Sequence, residues 1–208
     1  MQWCRQRAMR WLLACCGALA GVMAPASLML TPVAAHAAVL EGQRFDPTVQ
    51  LGDRTLRLNG LGLRGVAWVK AFVTGLYLPA TTRDPAAALA MPGPKRLQIK
   101  VLLEAPAAEL SKSLNRRVKR HEPAAVQQRL SARLSRLTAD INGMGTLKPG
   151  DVIELDYVPD QGVGLRHNGK AVGTPQPGED LYRAVLKVFI GEHPIDQRMK
   201  DGLMRGGV

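Results

Sequence analysis

Val66-Ala67-Trp68-Val69-Lys70-Ala71-Phe72-Val73-Thr74-Gly75-Leu76-Tyr77-Leu78 is the strongest strand signal in the chain, and its reading sets the fold class. Val66, Trp68, Phe72, Leu76 and Leu78 fall on one face at period two, and Ala67, Val69, Ala71, Val73 and Tyr77 on the other. Both faces are mostly apolar, so this strand belongs inside a sheet and is covered on both sides. Pro79 ends it. Upstream, residues 55–58 alternate polar and apolar as a short strand before a turn at Asn59-Gly60. Downstream, residues 81–94, rich in Pro and Ala, read as a loop or short helix, and residues 97–103 and 152–158 read as strands. Residues 165–172 place Asn168-Gly169 between two short arms, a strong hairpin signal.

Helical periods appear between these strands. Residues 106–115 suit a short helix, and Pro123 can open a longer one at its first turn. Val126, Leu130, Leu134, Leu137 and Ile141 follow at spacings of four, four, three and four, one apolar stripe stopped by Asn142-Gly143. Residues 179–190 form another helix with Leu181, Val185, Leu186 and Phe189 inward, and a last helix runs from about Pro194 to Met204. Strands, helices, a hairpin and helices again describe an α+β domain.

The first 37 residues have a different character. Arg5, Arg7 and Arg10 precede an apolar run from Trp11 to Leu30, and Ala35-His36-Ala37 offers small residues to a signal peptidase. This is the pattern of an export leader cleaved before Ala38, which implies a bacterial periplasmic product. Cys4, Cys15 and Cys16, the only cysteines, fall in this leader. A mature domain of residues 38–208 therefore carries no thiol or disulfide, and thiol catalysis and cysteine metal sites are excluded. Loss of the three leader arginines takes the formal charge from +11 to +8. That balance favours an acidic ligand or an anionic lipid surface. Nucleic acid is not implied, because no basic cluster is interleaved with aromatics for stacking.

Few constellations suggest chemistry. His121, His167 and His193 stand apart in the sequence and read as solvated, so no metal is implied. No serine occupies a nucleophile elbow. Asp151, Glu154, Asp156 and Asp160 resemble a carboxylate cluster, but Glu154 and Asp156 alternate with Val152, Ile153 and Leu155 in the manner of a strand's wet face. Lys112, Arg116, Arg117, Lys119 and Arg120 read as a solvated helix end, or as a patch for anionic headgroups. The segment that stands out is Asn59-Gly60-Leu61-Gly62-Leu63-Arg64-Gly65. Its spaced glycines deliver one arginine to the most buried strand, where a guanidinium requires an anionic partner: a ligand or a distant carboxylate.

That segment, followed by Val69-Lys70 and Gly75-Leu76-Tyr77-Leu78-Pro79, resembles the chalcone isomerase-like proteins, in particular their exported bacterial members. Asn168-Gly169-Lys170, Ala184-Val185-Leu186, Phe189-Ile190-Gly191 and the stretch from Met199 to Met204 extend the resemblance over most of residues 40–205. It implies a curved antiparallel β-sheet backed by a layer of α-helices, an open-faced sandwich with a ligand cleft between the layers, and no cofactor. Plant enzymes of the family close a flavanone ring, with an arginine supporting the developing enolate and tyrosine, asparagine and two threonines ordering substrate and water. The arginine position matches Arg64. The first threonine position holds Phe72, with Thr74 two residues on along the same face. The tyrosine position falls near Leu110, and the asparagine near Arg117, or Asn115 in a shifted register. The second threonine, near Glu179 to Leu181, has no counterpart.

With one catalytic position kept, the resemblance implies a non-catalytic binder of a small apolar carboxylate such as a fatty acid. Its cleft would be lined by Trp68, Phe72, Thr74, Leu76, Leu110 and Asn115, with Arg64 on the carboxylate. The alternatives are an isomerase, an intramolecular lyase on an enone using Arg64 and Thr74, and an envelope protein-interaction module using the basic helix.

Overall fold

The computed structural model describes residues 37–66 and 68–207. The expected leader, up to His36, lies outside the described residues. A strongly curled antiparallel sheet of seven strands forms the frame, in the order β11-β10-β9-β6-β5-β4-β3. In chain order these are β3 (Thr48–Leu51), β4 (Arg54–Val66), β5 (Val69–Leu78), β6 (Lys95–Val101), β9 (Val152–Val158), β10 (Gly162–His167) and β11 (Lys170–Gln176). Two small antiparallel pairs flank it, β1 (Ala38–Leu40) with β2 (Gln43–Phe45), and β7 (Ala105–Pro106) with β8 (Thr146–Leu147). The helices are α1 (Pro85–Ala90), α2 (Ala107–His121), α3 (Ala124–Gly143), α4 (Glu179–Ile190) and α5 (Gln197–Leu203).

The central strand β5 is covered on both faces, as its composition requires. Leu76 and Leu78 join a helix-side core with Leu97, Leu130, Leu137, Leu181, Val185 and Met199. Val73 and Tyr77 join a second core on the opposite face with Phe45, Leu56, Leu58 and Leu61. The stripe of α3 is buried at Leu130, Leu134, Leu137 and Ile141, and half-buried at Val126. Asn168 (φ 50°) and Gly169 (φ 79°) make the turn between β10 and β11, the left-handed pair expected of a two-residue hairpin.

Four readings of the sequence need correction. Residues 66–78 are not one strand: the chain turns between Val66 and Val69, and β4 returns antiparallel to β5. The expected turn at Asn59-Gly60 is a β-bulge inside the long β4, where the register with β5 shifts between Leu58 and Gly60. The bulge moves Leu61 onto the same face as Leu56 and Leu58, although their parity in sequence differs. The basic stretch is not a helix end followed by loop, because α2 runs through to His121. Glu154 and Asp156 are not on a wet face. Both are buried against Arg96, whose Nε and Nη2 donate to Asp156 at 2.6 and 2.7 Å, with Glu154 3.0 Å from Nη1.

The bulge also explains the spaced glycines. Asn59 is fully buried; its Nδ2 donates to the Leu203 carbonyl at 2.7 Å and its Oδ1 accepts from the Thr82 amide at 2.7 Å. The Gly207 amide donates to the Asn59 carbonyl at 2.8 Å. Beyond the bulge, Gly60, Gly62 and Arg64 face the helices. A Cβ at Gly60 would collide with the Gly202 carbonyl, and one at Gly62 would lie 2.5 Å from the Met199 carbonyl. The missing side chains let α5 lie directly on β4, and Arg64 is the first residue on that face to carry a long one.

Candidate functional site

A cavity of about 240 Å³ opens where β4, β5 and β6 meet the start of α2 and the segment joining α4 to α5. Phe72, Ile99, Leu110 and Ile195 supply much of its apolar wall; Arg64 and Glu109 bring charge, and Ser113 brings the one hydroxyl among its described lining residues. Behind it lies a smaller space of about 30 Å³ reaching toward Leu155, Leu165 and Val185. Ile99, Leu110, Ser113, Ile153 and Ile195 line both, so they form the neck between an outer and an inner compartment. An elongated apolar space with a few polar groups at one end is the usual form of a small-molecule site.

Arg64 forms the polar end, and a second arginine, Arg117, braces the segment beside it. Arg64 Nη1 donates to Asp196 Oδ2 at 3.1 Å, its one guanidinium hydrogen bond among the described residues. The distant carboxylate 132 positions on therefore exists, yet it uses one of five donors. Asp196 Oδ1 accepts from the Met199 amide at 3.1 Å and caps α5. Arg117, from α2, donates to the carbonyls of His193 (3.3 Å), Pro194 (2.8 Å) and Ile195 (3.4 Å). Burial, and after it the charge of Arg64, lowers the Arg117 pKa from its ordinary value. His121 Nε2 meets the His193 carbonyl at 2.9 Å, and burial pushes its imidazole below the ordinary value. The segment 193–196 is thus a strap pinned from both sides, carrying Ile195 into the cavity. Glu109 is exposed and held by Lys112 at 2.8 Å.

Of the residues anticipated from sequence, Arg64, Phe72 and Leu110 come together on the cavity. Trp68 does not. It stands in the turn between β4 and β5, 88% exposed, because the expected single strand is a hairpin. Thr74 shares the face of Phe72 but lies farther along β5, fully buried, its hydroxyl unpartnered and outside the cavity lining. Leu76 is a step farther, sealed in the helix-side core. Asn115 lies on the groove between α2 and α3, with Val118 and Ser131. Leu110, Ser113 and Arg117 share the other side of α2 at helical spacing, and Asn115 is turned away from it.

Ser113, Ile99, Ile153, Ile195 and Asp196 were not anticipated. Alternation along β6 and β9 marks Ile99 and Ile153 as inward, and they are cross-strand partners. No local pattern joins Asp196 to Arg64. Among the described residues no helix is long and apolar enough to cross a membrane, and no group of three metal-ligating side chains occurs.

A fatty-acid binding protein of Arabidopsis thaliana has a similar structure, with a TM-score of 0.65 and 16% sequence identity over 82% of this chain and 96% of that one. Its likeness establishes the fold, the α+β half-barrel with its helical layer. No curated protein matches the chain. Residues 37–205 match the chalcone isomerase-like family throughout, and the chain belongs to that family.

Proposed function

We propose that the protein binds a small apolar carboxylate, an acyl chain of the fatty-acid type, and that it does so in the periplasm after export. The observation that carries this reading is the apolar cavity with Arg64 at its polar end and four of that arginine's donors uncommitted among the described residues. The acyl chain lies along Phe72, Ile99 and Leu110, and the carboxylate takes charge-assisted hydrogen bonds from Arg64. The similar plant structure is of a fatty-acid binding protein, which favours the same ligand class. Ring closure of an enone draws less support, because Phe72, Leu110 and Arg117 stand where the plant enzymes place hydroxyl and amide groups. The described tyrosines, Tyr77, Tyr157 and Tyr182, are all buried outside the cavity lining.

Native mass spectrometry of the protein recovered from its cells tests both parts. The expected result is a chain beginning at Ala38 that carries an acyl-sized adduct, absent from Arg64→Ala. A bare protein that takes up no added fatty acid would overturn the binding reading, and a mass beginning at Met1 would overturn the export reading.

A further inference from the structure

Asp196 occupies an unusual position for a capping residue. One carboxylate oxygen holds the first turn of α5 and the other holds Arg64 at the polar end of the cavity. Arg64 and Ile195 line that cavity, while Asp196 borders the adjoining depression with Gly62 and Arg198, so the ion pair stands at the edge of the cavity. The two side chains are 29% and 15% exposed, which leaves the pair partly shielded from water. A ligand carboxylate arriving at Arg64 meets a donor already engaged by a group of its own kind.

Resting on the binding reading above, we propose that Asp196 is an internal competitor for the ligand headgroup and sets the selectivity of the site. The capping bond to Met199 keeps its carboxylate at the mouth even when Oδ2 gives up Arg64. An incoming carboxylate can take the donors Arg64 has free, but it shares the guanidinium with Asp196 and is placed beside a fixed like charge, so its gain is reduced by that repulsion. Arg117, bonded to the carbonyls of the strap that carries Asp196, adds positive charge on the α2 side that offsets part of that repulsion. An uncharged headgroup leaves the Arg64–Asp196 pair intact and gains nothing from it. The device favours ligands whose apolar tails bind well enough to offset that repulsion, and it discriminates against short, soluble acids.

Asp196→Asn separates the two tasks of the residue: the amide oxygen still caps α5, while the charge that holds Arg64 is gone. Decanoate and decanol are titrated by calorimetry into the wild type, Asp196→Asn, Asp196→Ser and Asp196→Asn/Arg64→Met. The expected result is decanoate binding tightened roughly tenfold in both single variants, the scale of one charge-assisted hydrogen bond. Decanol binding should be unchanged, and the gain should vanish in the double variant. Decanoate binding unchanged or weakened in both single variants, with the wild type binding normally, would overturn the proposal and leave the acyl-binding reading standing. Equal weakening for decanoate and decanol would show a purely structural cap and overturn it as well. No binding of either compound by any variant would bring down the acyl-binding reading, and this inference with it.

Discussion

Arg64 and Arg96 stand on the two strands that flank β5, on opposite faces of one sheet, and each is paired to carboxylates. Arg96 is saturated. It makes a bidentate pair with Asp156 at 2.6 and 2.7 Å and reaches Glu154 at 3.0 Å, while Gln98 donates to Glu154 at 3.0 Å. Its partners lie directly across the β6–β9 ladder, where Arg96 pairs with Asp156 and Gln98 with Glu154. Arg64 makes one bond, at 3.1 Å, to a residue in a strap between helices. A guanidinium whose every nitrogen is engaged by rigid cross-strand carboxylates serves the fold. One with donors to spare at the end of an apolar cavity has capacity for a ligand.

Substitution breaks the contrast most sharply at the two arginines themselves. Arg96→Met leaves Asp156 buried without its cation and Glu154 with only Arg166 at 3.5 Å, and the expected cost is about 3–5 kcal/mol, read from the midpoint of urea denaturation. Arg64→Met, at a partly exposed pair, should cost under about 1 kcal/mol in the same assay while removing carboxylate binding. Equal costs at the two sites would show that Arg64 is as structural as Arg96.

A smaller effect distinguishes the glycines around the site from those elsewhere in the sheet. Gly62→Ala drives a methyl against the Met199 carbonyl and should cost about 1–3 kcal/mol by displacing α5. The same change at Gly164 on β10, where the nearest neighbour of a Cβ is Pro175 at 4.0 Å, should be neutral or slightly stabilising. A tolerated Gly62→Ala would mean that α5 is loosely seated and the strap with it.

The smallest effect concerns the strap's other anchor. Burial lowers the His121 pKa, so the folded state binds fewer protons than the unfolded state below about pH 6.5. Its contribution is full above that pH and is lost as pH falls through 6.5 toward the depressed value. A thermal-melting series in this window should show a shallow decline that His121→Gln flattens; an identical slope in the variant would remove His121 from the strap's anchorage.

The same contrast explains what was legible in the sequence. The stripe of α3 and the Asn168-Gly169 turn are local patterns, and the residues that carry them also do the packing. Arg64 was legible because the glycines that admit α5 lie beside it. Its partner was not, because Asp196 is brought there by the path of a helix and a strap. Glu154 and Asp156 misled for a related reason: alternating charge records only that a face is polar, and the cation that buries it lies on another strand. Residues 66–78 concealed their turn because two antiparallel arms, apolar on both faces, continue each other's alternation. Trp68, the largest apolar side chain in that run, marks the bend instead of the core.

The clamp at Asn59 has a consequence for the order in which the molecule comes into being. Its side chain and backbone wait for Leu203 and Gly207, and Ile195 and Asp196 of the same late stretch close the cavity. A chain emerging from the ribosome has β4 and β5 long before it has the segment that roofs them. Until residues 195–207 arrive, there is an apolar trough with a bare arginine and no cavity at all. Completion of the cavity is therefore a late event of biosynthesis, and a polypeptide arrested short of α5 would present that trough to chaperones and proteases as unfinished work.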